Sequence, residues 1–273
     1  MRTSSIIKWQ KDGITLKEDE VKRSDSSNSR GEVYIVGIGP GDLEYLSIKA
    51  FQIIKDVEVV VGYNTYIDLL DELISDKQKV ISTGMTKEID RVELALKEAQ
   101  KGKQVAIVSS GDAGVYGMAG LVLETVSKQE LDLEVEIIPG ITAANAAAST
   151  LGAPLMHDYA VISLSDLLTP WEVIVDRLKK AASGDFVVAL YNPKSRQRQQ
   201  QIVEARDIFL QHKEPTTPVG IVRSAKRGSE EMVITDLQHM LEEEINMVTT
   251  VIIGNSETFS FTNFMITPRG YEV

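Results

Sequence analysis

A two-domain α/β architecture is the fold class the sequence predicts, and three observations predict it. The chain has 273 residues, more than one ordinary domain needs. Short, nearly continuous apolar runs alternate with segments of helical period. Glycine-rich segments follow several of those runs, where strands hand over to helices.

Taken in order, residues 1–30 are polar and end in SDSSNSR, without hydrophobic periodicity. They read as a flexible N-terminal extension outside the fold, although Ile6, Ile7 and Trp9 could dock this arm on a neighbour. From Gly31 the runs VYIVG and VEVVVG flank a helical pattern through Leu46, Ala50, Phe51 and Ile54, a β-α-β unit. Ile89, Val92, Leu96 and Ala99 mark a second helix, closed by Lys101-Gly102 before the strand QVAIVSS. The strand EVEIIPG then leads into the small-residue helix TAANAAAST. Such apolar strands imply a parallel sheet covered on both faces, with ligand-binding loops at the strand C-termini.

After LGAPLMHD the pattern restarts. YAVISLS, DFVVALY, PVGIVRS and VTTVIIG read as strands, with helices predicted around Arg196 to Gln211 and from Asp236 to Glu243. Thr169-Pro170-Trp171-Glu172 predicts a helix start with Thr169 as cap, proline at the first position and a capping-box glutamate. The expected division is residues 31–152 for the N-terminal unit and 153–273 for the C-terminal one.

Composition removes several function classes. With 29 Lys+Arg against 40 Asp+Glu the formal charge is -11, a field that repels nucleic acid and anionic membrane. Zero cysteines remove disulfides, thiolate nucleophiles and thiolate metal sites, which fits a cytoplasmic protein. No apolar run is long enough to span a bilayer, and the start lacks a signal-peptide core. The histidines have no metal-ligand spacing; His212 and His239 are expected on helical segments at the surface.

The chemistry concentrates in three loops. Gly37-Ile38-Gly39-Pro40-Gly41-Asp42 resembles a dinucleotide fingerprint but has Asp42 where the third glycine belongs, and no acidic residue ends the next strand. NAD and FAD are therefore disfavoured. Ser109-Ser110-Gly111-Asp112-Ala113-Gly114-Val115-Tyr116-Gly117 and Pro139-Gly140-Ile141-Thr142-Ala143 also follow strands, and neither carries the lysine and hydroxyl of a P-loop. Tyr116 and Met118 suit either a cleft wall or the core.

Together GIGPGD, SSGDAGVYGMAG, IPGITAANAAA, LYNPKSRQRQ and VIIGNSETF resemble the ordered motifs of the tetrapyrrole methylase family, over about Val33 to Phe259. GDAGVYGMAG, APLMHD and ISLSDLLTPW resemble in particular its C-17 methyltransferases acting on precorrin-3B or cobalt-precorrin-3. The resemblance implies a mostly parallel N-terminal sheet, a mixed C-terminal sheet and a cleft between them for S-adenosylmethionine, released as S-adenosylhomocysteine. It also implies a homodimer, methylation with ring contraction, and no protein-bound metal, any cobalt arriving within the substrate.

The family's cofactor contacts carry over to Pro40, to Gly111, Asp112 and Val115, to Thr142 and Ala143, and to Asn192 and Ala225. A carboxylate at Asp112 can bond cofactor hydroxyls or cap its own turn. Ala113 stands where relatives carry proline. A polycarboxylate macrocycle calls for cations, and Lys194, Arg196, Arg198, Arg223, Lys226 and Arg227 are the candidates, ordinary solvated charge being the other reading of each. His157 and Asp158 are the acid-base candidates, with a structural histidine as the alternative. Other readings are a methylase of the same fold acting on another corrin position, uroporphyrinogen III, diphthine or rRNA, an NAD-linked oxidoreductase, and a non-catalytic ligand sensor.

Overall fold

The computed structural model describes residues 30–272, so the N-terminal extension expected over residues 1–30 lies, apart from Arg30, outside the described residues. Two five-stranded sheets and a small three-stranded one carry the fold. The first holds β1 (Glu32–Gly37), β2 (Val59–Tyr63), β3 (Lys79–Thr83), β4 (Gln104–Ser109) and β5 (Glu134–Ile138), in the order β3-β2-β4-β1-β5. Every pairing is parallel.

Alternation along β1 explains its two-sided burial. Val33 and Ile35 join a core under α3 (Glu88–Ala99) and α4 (Ala119–Lys128), while Val36 joins the opposite core under α1 (Ile48–Asp56) and α2 (Asn64–Asp68). Ser47 starts α1 by accepting from the Ala50 amide at 3.1 Å. In α3 the buried stripe runs through Val92, Ala95, Leu96 and Ala99; Ile89, expected on that face, is exposed in the first turn. The short edge strand β3 escaped the sequence reading because its side chains are largely exposed and carry no continuous apolar run.

The next helix, α5 (Ala143–Leu151), follows β5 yet packs on the second sheet. Its Ala144, Ala147 and Ala148 let it lie close to Val187, Ala189, Val222 and Ile252, and a Cβ on Gly220 would stand 2.3 Å from Leu151. β6 (Gly152–Ala153) follows at once and opens the three-stranded sheet, so the chain has left the first sheet for the second already at α5.

That second sheet has β7 (Tyr159–Ser163), β8 (Val187–Tyr191), β9 (Pro218–Arg223), β10 (Glu231–Asp236) and β11 (Thr249–Ile253), ordered β10-β9-β11-β8-β7. β7 and β8 are parallel and the other pairings antiparallel, the mixed sheet expected. Its face away from α5 is covered by α6 (Trp171–Ser183) and α7 (Gln200–Phe209), over a core centred on Leu178, Leu190 and Phe209. The hairpin β12 (Phe259–Phe261) and β13 (Phe264–Ile266) returns to pair with β6, Met265 opposite Gly152.

Two expected features are corrected. α6 begins one residue late, with extended Pro170 rather than Thr169 at the cap and no side-chain cap; the Pro170 carbonyl accepts from Val173 and Ile174 instead. The helix expected over Asp236 to Glu243 is absent. β10 runs through Asp236 in register with Pro218, leaving only a turn closed by Met240–Glu242. The buried Leu237 and Met240, three residues apart, gave the helical signal. His239 is exposed, but in this turn, where Asp236 accepts from its amide at 2.9 Å.

Candidate functional site

Because β4, β1 and β5 are adjacent and parallel, their C-terminal loops converge at one sheet edge. The loops are fastened to each other. Gly39 and Gly111 exchange backbone hydrogen bonds of 3.0 and 2.7 Å. The backbones approach so closely that a Cβ on Gly140 would lie 2.2 Å from the Gly111 carbonyl oxygen, and one on Gly37 would lie 2.7 Å from the Gly140 nitrogen.

Asp112 connects the second and third loops. Its Oδ1 accepts from the Gly114 amide at 2.8 Å and its Oδ2 from the Gly140 amide at 2.9 Å. Each oxygen keeps a further lone pair for a ligand donor. Val115 closes the same turn through the Asp112 carbonyl, 3.3 Å away. Thr142 caps α5 by accepting from the Asn145 amide at 3.2 Å, and the Ala144 amide donates to the Tyr191 hydroxyl at 2.7 Å. The amides of Thr142 and Ala143 keep no partner among the described residues, so the helix start offers donors to the crevice.

The facing wall comes from the C-terminal ends of β7, β8 and β9. Asn192 adopts a left-handed φ of 49°, and its Nδ2 donates to Ser163 Oγ at 3.0 Å. Ala225 sits between Ser224 and Lys226, both with positive φ. Tyr116, in the second loop, reaches the edge strand β7: its hydroxyl donates to the Val161 carbonyl and accepts from the Ser163 amide, each at 3.3 Å. Its ring lies 5.8 Å from that of Tyr191, whose phenol is pushed up by burial. Met118 belongs to the first core.

The candidate cations divide into groups. Lys194 and Arg196 form no ion pair among the described residues. Arg198 is buried inside its own loop, donating to the Asn192 carbonyl at 2.8 Å and lying 3.5 Å from Ser165 Oγ. Arg223 is held by Glu231 and Glu244, and the hydrogen bond from Arg223 holds the Glu244 carboxyl below the usual range. Lys226 stands 3.8 Å from Glu230. Arg227 crosses to the first unit, its Nε donating to the Pro40 carbonyl at 2.5 Å.

His157 and Asp158 are not brought to this edge. They precede β7 and line a separate cavity of about 380 Å³ with Asp185, Phe186, Glu257 and Arg269, at the opposite end of the second sheet. The length of β7, roughly 15 Å, separates them from the crevice. Among the described residues no group of His, Cys, Asp and Glu is arranged to hold a metal ion. The contacts that sequence reasoning missed are Tyr191 on α5 and Tyr116 on β7. The tyrosine in LYNP was visible, but its partner lies 47 residues away.

Paired glycine-rich loops facing the C-terminal ends of a second sheet define the class. The chain belongs to the tetrapyrrole (corrin/porphyrin) methylases, whose family model matches residues 32–241. It is 53% identical over 247 residues to the cobalt-factor III methyltransferase of Priestia megaterium, covering 89% of this chain but only 46% of that protein. It is 52% identical over 237 residues to the probable cobalt-factor III C(17)-methyltransferase of Salmonella typhimurium, covering 87% of this chain and 98% of that one. The solved methyltransferase CobJ superposes with a TM-score of 0.82 at 33% identity, over 87% of this chain and 100% of CobJ. A uroporphyrin-III C-methyl transferase from Thermus thermophilus complexed with S-adenyl homocysteine gives a TM-score of 0.65 at 25% identity, over 82% and 92%.

Proposed function

We propose that this chain methylates C-17 of cobalt-factor III, or of the closely related cobalt-precorrin-3 or precorrin-3B, from S-adenosylmethionine, with contraction of the macrocycle. The observation that carries the reading is the crevice, where the joined loops after β1, β4 and β5 face Asn192 and Ala225. The identities with relatives named for cobalt-factor III support the choice of acceptor.

The sulfonium cofactor supplies an already activated methyl group. The chain's part is to hold the two reactants in line and keep water out. Pro40, Gly111, Asp112, Val115, Thr142, Ala143, Asn192 and Ala225 bind the cofactor in this reading. The donors at the α5 start suit its carboxylate or hydroxyls, and Asp112 offsets its positive charge. Lys194 and Arg196, with their charges uncommitted, take the carboxylates of the acceptor, so local cations overcome the acidic total. Cobalt enters with the substrate.

The units over residues 31–152 and 153–273 supply the two walls, and the protein works as a homodimer in the cytoplasm, without nucleic acid or membrane. No helix among the described residues is long and apolar enough to cross a membrane. The deciding experiment is turnover with S-adenosylmethionine followed by mass spectrometry, offering cobalt-factor III, precorrin-3B and uroporphyrinogen III in parallel. One added methyl on cobalt-factor III or precorrin-3B is expected. Methylation of uroporphyrinogen III alone would refute the acceptor, and no methylation of any would refute the activity.

A further inference from the structure

Arg227 was a candidate for gripping the substrate, yet its guanidinium is committed elsewhere. Nε donates to the Pro40 carbonyl at 2.5 Å and Nη2 to Ser110 Oγ at 3.3 Å. These acceptors lie on the first and second glycine-rich loops, so one side chain from the second unit straps both loops of the first. The Asp42 amide donates to the Lys226 carbonyl at 3.3 Å beside it.

The side chain has a notch to lie in. A Cβ on Gly41 would stand 2.6 Å from Arg227 Cγ and 2.8 Å from its Nε, so any larger residue there displaces the arginine. On the other side the loop is shaped for delivery. Ser224 and Lys226 both take left-handed φ, and the Arg227 amide closes the turn on the Ser224 carbonyl at 3.0 Å. Arg227 also faces Tyr66, where its charge, like that of Arg91, opposes the upward push of burial on the phenol.

We propose that Arg227 is a positioning residue: a latch, seated over Gly41, that fixes the spacing between the glycine-rich loops and Ala225 and thereby sets affinity for the S-adenosyl cofactor, not for the tetrapyrrole. The inference rests on the functional reading above and assigns Arg227 a role distinct from that of Lys194 and Arg196. A fork is required, because the Pro40 and Ser110 oxygens are reached by two different nitrogens of one planar group; a lysine offers a single ammonium.

The test is calorimetric titration of the full chain with S-adenosylhomocysteine, paired with KM for the acceptor. Arg227→Ala and Arg227→Lys should each weaken S-adenosylhomocysteine about tenfold or more, the loss expected for charge-assisted hydrogen bonds, with acceptor KM at saturating cofactor within about twofold. Ser110→Ala, which removes one acceptor and spares the fold, should give a smaller loss of the same kind. Gly41→Ala, which displaces the arginine and also strains a backbone held at φ 156°, should weaken the cofactor too. A higher acceptor KM with cofactor affinity intact would make Arg227 a substrate clamp and overturn the latch, and full rescue of cofactor affinity by lysine would overturn the two-point strap on which the latch depends. A wild-type chain that binds no S-adenosylhomocysteine would refute the functional reading and the latch with it.

Discussion

Asp112 illustrates how a residue can be legible while its work is not. Its place in a glycine-rich loop marks it, but the Gly140 amide it holds lies 28 residues further on, and only parallel pairing of β1 with both β4 and β5 brings the two together. Asp112→Ala leaves two amides short of an acceptor, so we expect a loss of about 1–3 kcal/mol in a urea unfolding series as well as weaker S-adenosylhomocysteine binding. Asp112→Asn, with one acceptor oxygen, should fall between the two. Unchanged stability for the alanine variant would show that the carboxylate serves the ligand alone. Lys194, Arg196 and Arg198 look equivalent in LYNPKSRQRQ, whereas folding buries Arg198 and leaves Arg196 exposed. Arg196→Glu should therefore raise acceptor KM several-fold at constant melting temperature, and Arg198→Ala should lower the melting temperature. No sequence period separates them, because the turn from Asn192 to Arg198 is neither helix nor strand.

At the scale of elements, the core strands were readable because β1, β2, β4, β8, β9 and β11 are nearly continuous runs of Val, Ile, Leu and Ala. What failed lies at the edges: β3 and β10 are half-exposed, and the turn after Asp236 imitates a helix with two buried residues three apart. Glu98, near the end of α3, shows how such edges are fixed. Lys101, Lys103 and Lys79 surround it, and their hydrogen bonds hold its carboxyl well below the ordinary glutamate range. A carboxyl depressed in the folded state adds stability that is present above pH about 4.5 and is lost as pH falls towards the depressed value. Glu98→Gln should lower stability at neutral pH and flatten its decline below about pH 5, read from melting temperatures across pH. A parallel curve for wild type and variant would remove Glu98 from that role. Phe209, fully buried between α6, α7 and the second sheet, should cost about 3–5 kcal/mol as Phe209→Ala.

For the whole molecule, the alternation of strands and helices made two α/β units legible, and five ordered motifs made the family legible. The way the units hold one another was not, since Tyr116, Tyr191 and Arg227 each act across sequence separations that no local pattern encodes. The β12–β13 hairpin leaves Phe259, Phe261 and Phe264 at 46%, 62% and 50% exposure, a cluster of aromatic surface that suits the proposed homodimer. Sedimentation should give twice the chain mass, and Phe261→Glu should shift it towards the monomer. A wild-type monomer at micromolar concentration would remove the dimer from the proposal.

The pairing of β13 with β6 also sets an order of assembly. Gly152 and Ala153, at the junction of the units, find their strand partners among the described residues in Met265 and Ile266. Synthesis from the N-terminus lets the first sheet form early, while the junction waits until β13 has left the ribosome. Until then α5 lacks Met265, part of the core it packs into, and the third loop of the crevice runs into that same helix. Chains interrupted before Phe264 would thus carry both five-stranded sheets without the strand that seats α5, and the crevice would be the last part of the fold to set.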